Sequence, residues 1–176
     1  MNTKRIFTSI ELPGPVKKGL KTIERKDIYW IKWMDPKNFH ITMNFLGDLG
    51  GEEIETAKQV LAEVAREYTS FNLSVREFRG EQDMLWALPE KNETLIKLQW
   101  DLRLRLKNAG VGKMERYSYV PHVLLAKSKT GRRMTWLPKD FDPLEFKVDR
   151  INLYESQLTP GVATHSLIES FPLNES

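Results

Sequence analysis

Residues 39–46, FHITMNFL, and residues 120–126, VPHVLLA, decide how this chain reads. Each is a short apolar run suited to a strand, and each carries a histidine near its start, His40 and His122. Side chains alternate along a strand, so His40 and Thr42 share one face while Ile41 and Met43 enter the other. A long amphipathic helix accompanies each run. Residues 52–67 follow the first, with Ile54, Ala57, Val60, Leu61, Val64 and Ala65 at helical spacing. Residues 92–108 precede the second, with Leu95, Leu98, Leu102 and Leu106 in line and Gly110 as the stop. The histidines lie about half the chain apart. Two pseudo-symmetric lobes, each lending one histidine to a shared cleft, would leave this echo.

Working outward, residues 5–12 read as a strand closed by Pro13-Gly14-Pro15, and residues 16–24 as a short helix. Residues 30–34 fit either loop or strand. The first histidine run ends at a turn signal, Gly47-Asp48. Residues 71–78 and 84–88 read as strands, the second stopped by Pro89. Residues 128–141 form a basic loop. Residues 144–154 alternate as one strand, which pairs with residues 164–171 through Thr159-Pro160-Gly161, and the tail beyond Pro172 is expected to fray.

The chain has 176 residues, 40% hydrophobic and 29% charged, a globular balance fitting one domain of ordinary size. With 27 Lys+Arg against 24 Asp+Glu the net charge is +3, which permits nucleic acid without demanding it. Three basic clusters stand out: Lys17, Lys18 and Lys21; Arg103, Arg105 and Lys107; Lys127, Lys129, Arg132 and Arg133. The first two read as solvated faces, and the third directly follows the second histidine. The absence of cysteine excludes disulfides and thiolate-bound metal. No apolar run reaches the roughly 18 residues of a membrane span, and the start is too short in apolar residues for a secretory signal. A cytoplasmic protein with no membrane contact is the expectation.

A histidine beside a hydroxyl on one strand face suits a phosphate: the imidazole moves a proton and the hydroxyl donates to a non-bridging oxygen. Two such strands across a cleft place a base and an acid on opposite sides of phosphorus, as in-line displacement requires. An ordinary histidine pKa of about 6.5 leaves both forms populated near neutrality, which predicts a bell-shaped pH profile with both limbs there. No metal or cofactor is needed. The third histidine, His165, shares a strand face with Leu167 and Glu169 and is expected to be structural. Tyr117, Tyr119 and Trp33 have rings able to stack on a base, with core or rim packing as their expected role.

The two runs resemble the paired His-x-Thr/Ser-x signatures of the 2H phosphoesterase superfamily, most closely its LigT-like branch of RNA 2′,3′-cyclic phosphodiesterases. The resemblance extends over nearly the whole chain, through RIFTSIELP, IKWMDPKNFHITMNFLGDL and INLYESQLTPGVATHSLIESFPL. It implies an α+β fold spanning residues 1–176 as a single domain of two intertwined, pseudo-symmetric lobes. Each lobe would be an antiparallel sheet with helices packed outside, flanking a central cleft. It implies hydrolysis of RNA 2′,3′-cyclic phosphate ends to 2′-phosphomonoesters; a monomer is a separate expectation. His40 would be the proton donor and His122 the proton acceptor, with Thr42, Phe45 and Lys127 contacting the substrate. The second signature departs from the pattern twice. Leu124 stands where Thr or Ser is expected, and Lys127 where Arg is usual, which keeps the charge but loses the bidentate fork. Ser128 and Lys129 are the nearest candidates to compensate.

Two rival readings use the same histidines: a module that binds RNA ends or phosphate without turnover, and an enzyme for 2′,5′-linked or small nucleotide cyclic phosphates.

Overall fold

Residues 4–11 form a strand covered on both sides: Ile6 and Ile10 face one layer, Phe7 and Ser9 the other, and none is more than 2% exposed. This is β1 (Lys4–Glu11) of the computed structural model, whose described residues are 2–113 and 117–175. After it come α1 (Gly14–Lys21), β2 (Ile31–Trp33), a 3-10 turn at Pro36–Asn38, β3 (His40–Leu49) and α2 (Gly51–Ala65). The chain continues through β4 (Phe71–Glu81), β5 (Met84–Pro89), α3 (Glu93–Asn108) and β6 (Val123–Ser128) to β7 (Leu144–Val148), β8 (Arg150–Thr159) and β9 (Val162–Pro172).

The strands build two antiparallel sheets, one of four strands in the order β3-β1-β8-β9 and one of five in the order β2-β6-β5-β4-β7. The α+β fold expected from the resemblance is therefore present, with the halves interleaved. β2 leaves the N-terminal half to edge the five-stranded sheet, and β8 and β9 return to the four-stranded one. The helices do not divide one per sheet. α2 and α3 pack on each other, α2 also against β8 and β9, α3 against β3, and α1 against β7. One hydrophobic cluster joins Ile6, Ile41 and Met43 of the first sheet to Leu85, Val123 and Leu125 of the second and to Leu61 and Leu98 of the helices.

Four expectations change. Residues 144–154 are two strands in different sheets: β7 pairs with β4, and after Asp149 the chain enters the other sheet as β8. An alternating pattern names a buried face but not the strand beside it. β3 runs through Gly47 to Leu49, because Gly47 adopts φ +81° and absorbs a bulge opposite Ile6 and Phe7. β6 begins at Val123, so His122 lies just ahead of the strand. The tail is tied down, with Leu173 N–H donating to Asp149 O (2.8 Å) and Asn174 N–H to Tyr68 O (2.9 Å).

Gly80 pins the basic loop. A Cβ built there would stand 2.2 Å from the Met134 carbonyl oxygen, while Met134 N–H donates to Gln82 O at 2.7 Å. Gly80→Ala is expected to cost about 1–3 kcal/mol by overpacking, read as a lower urea midpoint. An unchanged midpoint would mean that the loop does not hold this close approach.

Candidate active site

His40 opens β3 directly after the 3-10 turn, whose start is capped by the Asp35 side chain accepting from Lys37 N–H (3.0 Å). Its Nδ1–H donates to Asn38 O (2.6 Å), which leaves Nε2 as the acceptor, and the Thr42 hydroxyl donates to it (2.9 Å). His122 repeats the arrangement: its Nδ1–H donates to Val120 O (2.8 Å), again a carbonyl two residues upstream. Both imidazoles are thereby set in one tautomer, protonated on Nδ1 with Nε2 as the lone-pair nitrogen. The two sheets meet where β3 runs beside β6, and Tyr119 Oη–H donates across to Thr42 O (3.0 Å).

One β-bulge follows each histidine. Opposite β1, the register passes from Ser9↔Thr42 to Thr8↔Asn44, so Met43 is the extra residue. Opposite β5 it passes from Trp86↔Leu124 to Leu85↔Ala126, so Leu125 is extra. Met43 and Leu125 each stand three places after the histidine. By strict alternation the residue five places on would face away from the histidine; the bulge returns it to the same face. Phe45 thus pairs with Phe7, is 50% exposed, and lies on the same side as His40. Lys127 pairs with Met84, which shares a face with Trp86, so Lys127 joins Leu124 and His122.

Burial lowers all three histidines. His40 falls to about 4, chiefly by desolvation; the Asn38 carbonyl and Glu11 oppose this, and protons on His165 or His122 deepen it. His122 falls by desolvation too, opposed by the Val120 carbonyl and Glu81. Trp86 supplies much of that cover, stacked on His122 with centroids 3.7 Å apart and planes 14° from parallel. If the two rings serve as acid and base, both limbs of a free-enzyme pH profile belong on the acid side of neutrality, displaced from the position expected of ordinary histidines.

Other expectations sort as follows. Leu124 faces Trp86 on the cleft side, where a hydroxyl was expected. Ser128 pairs with buried Ile31 on the opposite face, and its hydroxyl accepts from Thr130 N–H (3.2 Å), so it does not replace that donor. Trp33 is structural: its Nε1–H donates to Arg25 O (3.2 Å) and its ring meets Trp136 edge-on. Tyr117 is 85% exposed, and Tyr119 spans the sheets.

For His165 the expected strand face holds for Leu167 and changes for Glu169. An extra residue, Ile168, breaks the alternation of β9, so Leu167 pairs with Tyr154 while Glu169 turns to the helix side, where it meets Lys58 of α2 (3.7 Å). The His165 ring sits edge-on to His40, with centroids 5.3 Å apart, and 5.1 Å from Phe7. Three further residues beside the candidate site escaped the reading: Trp86, Glu11 and Lys32. Lys32 pairs with Lys127, and its ammonium donates to Gly161 O (3.4 Å) in the β8–β9 turn. The only available sign for His165 was the scarcity of histidine; for the other three there was none, since each depends on a cross-strand partner.

Residues 33–159 match the 2'-5' RNA ligase superfamily, and the chain belongs to it, an enzyme of the 2H phosphoesterase class. Among its relatives is the RNA 2',3'-cyclic phosphodiesterase of Thermotoga maritima, 28% identical over 173 residues, covering 89% of this chain and 88% of that protein. The protein of the same name from Bacillus subtilis is 28% identical over 134 residues, covering 72% and 73%. The fold is that of E. coli LigT in its apo form, with a TM-score of 0.85, 19% identity and 99% of each chain covered. Among the described residues no helix is long and apolar enough to cross a membrane.

Proposed function

We propose that this protein hydrolyses 2′,3′-cyclic phosphate ends of RNA to 2′-phosphomonoesters, as a cytoplasmic monomer and without a metal. The observation that carries the reading is the matched pair of histidines, one per sheet, each with Nδ1–H held by the carbonyl two residues upstream and Nε2 left as the lone-pair nitrogen. The names of the relatives from Thermotoga and Bacillus support the same substrate class.

His122 Nε2 takes a proton from water as its oxygen bonds to phosphorus. His40 Nε2–H delivers a proton to the departing ribose 3′ oxygen as the P–O3′ bond breaks. The assignment of donor and acceptor follows the resemblance, because the hydrogen-bond geometry treats the two rings alike. In the empty cleft both rings are largely neutral at pH 7. A cyclic phosphate brings negative charge to them and favours the protonated ring, and Glu11 adds to this at His40. On binding, the Thr42 hydroxyl leaves His40 Nε2 for a non-bridging oxygen, Lys127 and Lys32 hold the phosphate charge, and Phe45 walls the site.

The test is incubation with a short RNA ending in a 2′,3′-cyclic phosphate, EDTA present, with the product phosphate located. A 2′-phosphate product is expected. Product only after added metal, or none, overturns the reading.

Leu124 favours a second reading, a module that binds phosphate ends without turnover, because it removes a hydroxyl from the cleft face. A hydrogen bond to a charged oxygen contributes about 1.5–3 kcal/mol, so Leu124→Thr is expected to raise kcat/KM by about 10–100-fold. Tight binding of a 2′-phosphorylated end with no product in either protein would select the binding module.

A further inference from the structure

Three successive backbone groups at the β3 bulge bond to side chains. The Thr42 carbonyl accepts from Tyr119 Oη–H (3.0 Å), the Met43 carbonyl from Gln99 Nε2–H (3.3 Å), and Asn44 N–H donates to the Thr8 hydroxyl oxygen (3.1 Å). These side chains come from the connection before β6, from α3 and from β1. A bulge takes backbone groups out of line with the facing strand, and a buried backbone group needs a partner wherever it points.

Gln99 is the member that packing does not explain. It is 4% exposed and stands on the buried face of α3 with Leu95, Leu98, Leu102 and Leu106. A buried amide costs stability unless it is hydrogen-bonded, so packing alone favours an apolar residue there. The bond to the Met43 carbonyl offsets that cost. Gln99 also lines a small cavity with Asn44, which pairs with Thr8 and so faces the layer away from Phe7 and His40. The amide thus meets β3 from the back of the sheet.

The surrounding packing leaves this bulge room to relax. The cavity, about 30 Å³, adjoins it, and Asn44 Oδ1 is buried with no hydrogen-bond partner among the described residues. The matching bulge of β6 is held differently: the Leu125 carbonyl accepts from the backbone N–H of Met34 (2.9 Å). A side-chain substitution can therefore remove the brace of the first bulge and not that of the second.

We propose that Gln99 is a positioning residue for the reaction: by holding the Met43 carbonyl it fixes the bulge that returns Phe45 to the face of His40 and keeps Thr42 beside His40 Nε2. The inference rests on the hydrolytic reading above and adds to it a residue that touches no reacting atom. Without this bond β3 exchanges between bulged and regular pairing, and regular alternation turns Phe45 away from the histidine.

The experiment is a mutant cycle on the full chain, read as kcat/KM on a short RNA ending in a 2′,3′-cyclic phosphate. Gln99→Met keeps the length of the side chain and removes the donor, and Gln99→Leu is a second donor-free variant expected to behave alike. Each is expected to lower kcat/KM by at least tenfold in the otherwise native protein. In Thr42→Val/Phe45→Ala, where the groups that the bulge positions are already gone, the same change costs less than twofold. A merely structural role acts through the folded fraction and lowers both backgrounds by one factor. Urea unfolding verifies that each variant is folded at the assay temperature. An equal loss in both backgrounds, or a loss below twofold in the native one, overturns the proposal.

The imidazole nitrogen-15 resonances of the ligand-free protein give a readout that needs no turnover. Gln99→Met is expected to move His40 Nε2, which accepts from Thr42, and to leave His122 Nε2 in place. An unmoved His40, or equal movement of both rings, overturns the proposal while leaving the hydrolytic reading intact. If the native protein cleaves no RNA, the hydrolytic reading fails by itself, and these resonances decide whether Gln99 positions His40.

Discussion

His40→Ala and His122→Ala are each expected to lower kcat on an RNA 2′,3′-cyclic phosphate end by about 10²–10⁴-fold, the usual contribution of one positioned proton transfer. Because both rings serve one displacement, the double variant should lose less than the product of the two single losses. The burial of the rings and the bonds to Asn38 and Val120 make this a strict test. Removal of either ring leaves Thr42 and Lys127 in place, so KM should move far less than kcat. Single-turnover kinetics with EDTA present reads the effect. Full activity in either variant ends the two-histidine mechanism. A loss confined to KM would make the ring a binding group instead.

The second large effect is on stability. His40 is held to about 4 in the fold, chiefly by desolvation, against about 6.5 in an unfolded chain. Above pH 6.5 neither state binds this proton. As pH falls from 6.5 to 4 the unfolded chain takes it up and the folded one does not, so stability falls through that window and levels off below it. The separation corresponds to about 3 kcal/mol, an order-of-magnitude figure for a ring that is mostly buried. His122 and His165 are lowered as well and add in the same direction. Urea unfolding of the native protein at pH 7 and pH 4.5 should therefore show a steeper loss than that of His40→Gln, which has no proton to gain. Identical slopes in the two proteins would mean that the ring is more open to water than its packing against Phe7 and His165 indicates.

These expectations bear on substrate choice. Glu11 sits at the junction of the site. Partial desolvation raises its pKa, yet bonds from Lys17 and Tyr154 outweigh this and hold it below the usual carboxylate range. It therefore stays ionised beside His40 and favours a proton there. Lys32 and Lys127 stand as direct neighbours across β2 and β6. Like charges placed opposite each other destabilise a sheet slightly unless an anion lies between them.

Much of this was legible in the order of residues. The two histidine runs, the helices at residues 52–67 and 92–108, the strand at residues 5–12 and the β8–β9 hairpin all depend on local periodicity and on turn residues. His40, Thr42 and His122 stood out because a hydroxyl or an apolar run lay within two residues of a rare side chain. What the order of residues left open is non-local. The stretch at residues 144–154 alternates correctly for a strand, yet only the competition of β4 and β1 for partners divides it between two sheets at Asp149. Alternation also predicts that Phe45 and Lys127 face away from the histidines and that Glu169 sides with His165. Extra residues at Met43, Leu125 and Ile168 reverse all three. A bulge is set by how two paired strands share their hydrogen bonds, which no single strand records. The sequence thus determined which groups are candidates for the chemistry, and tertiary pairing decided which of them share a face with the two histidines.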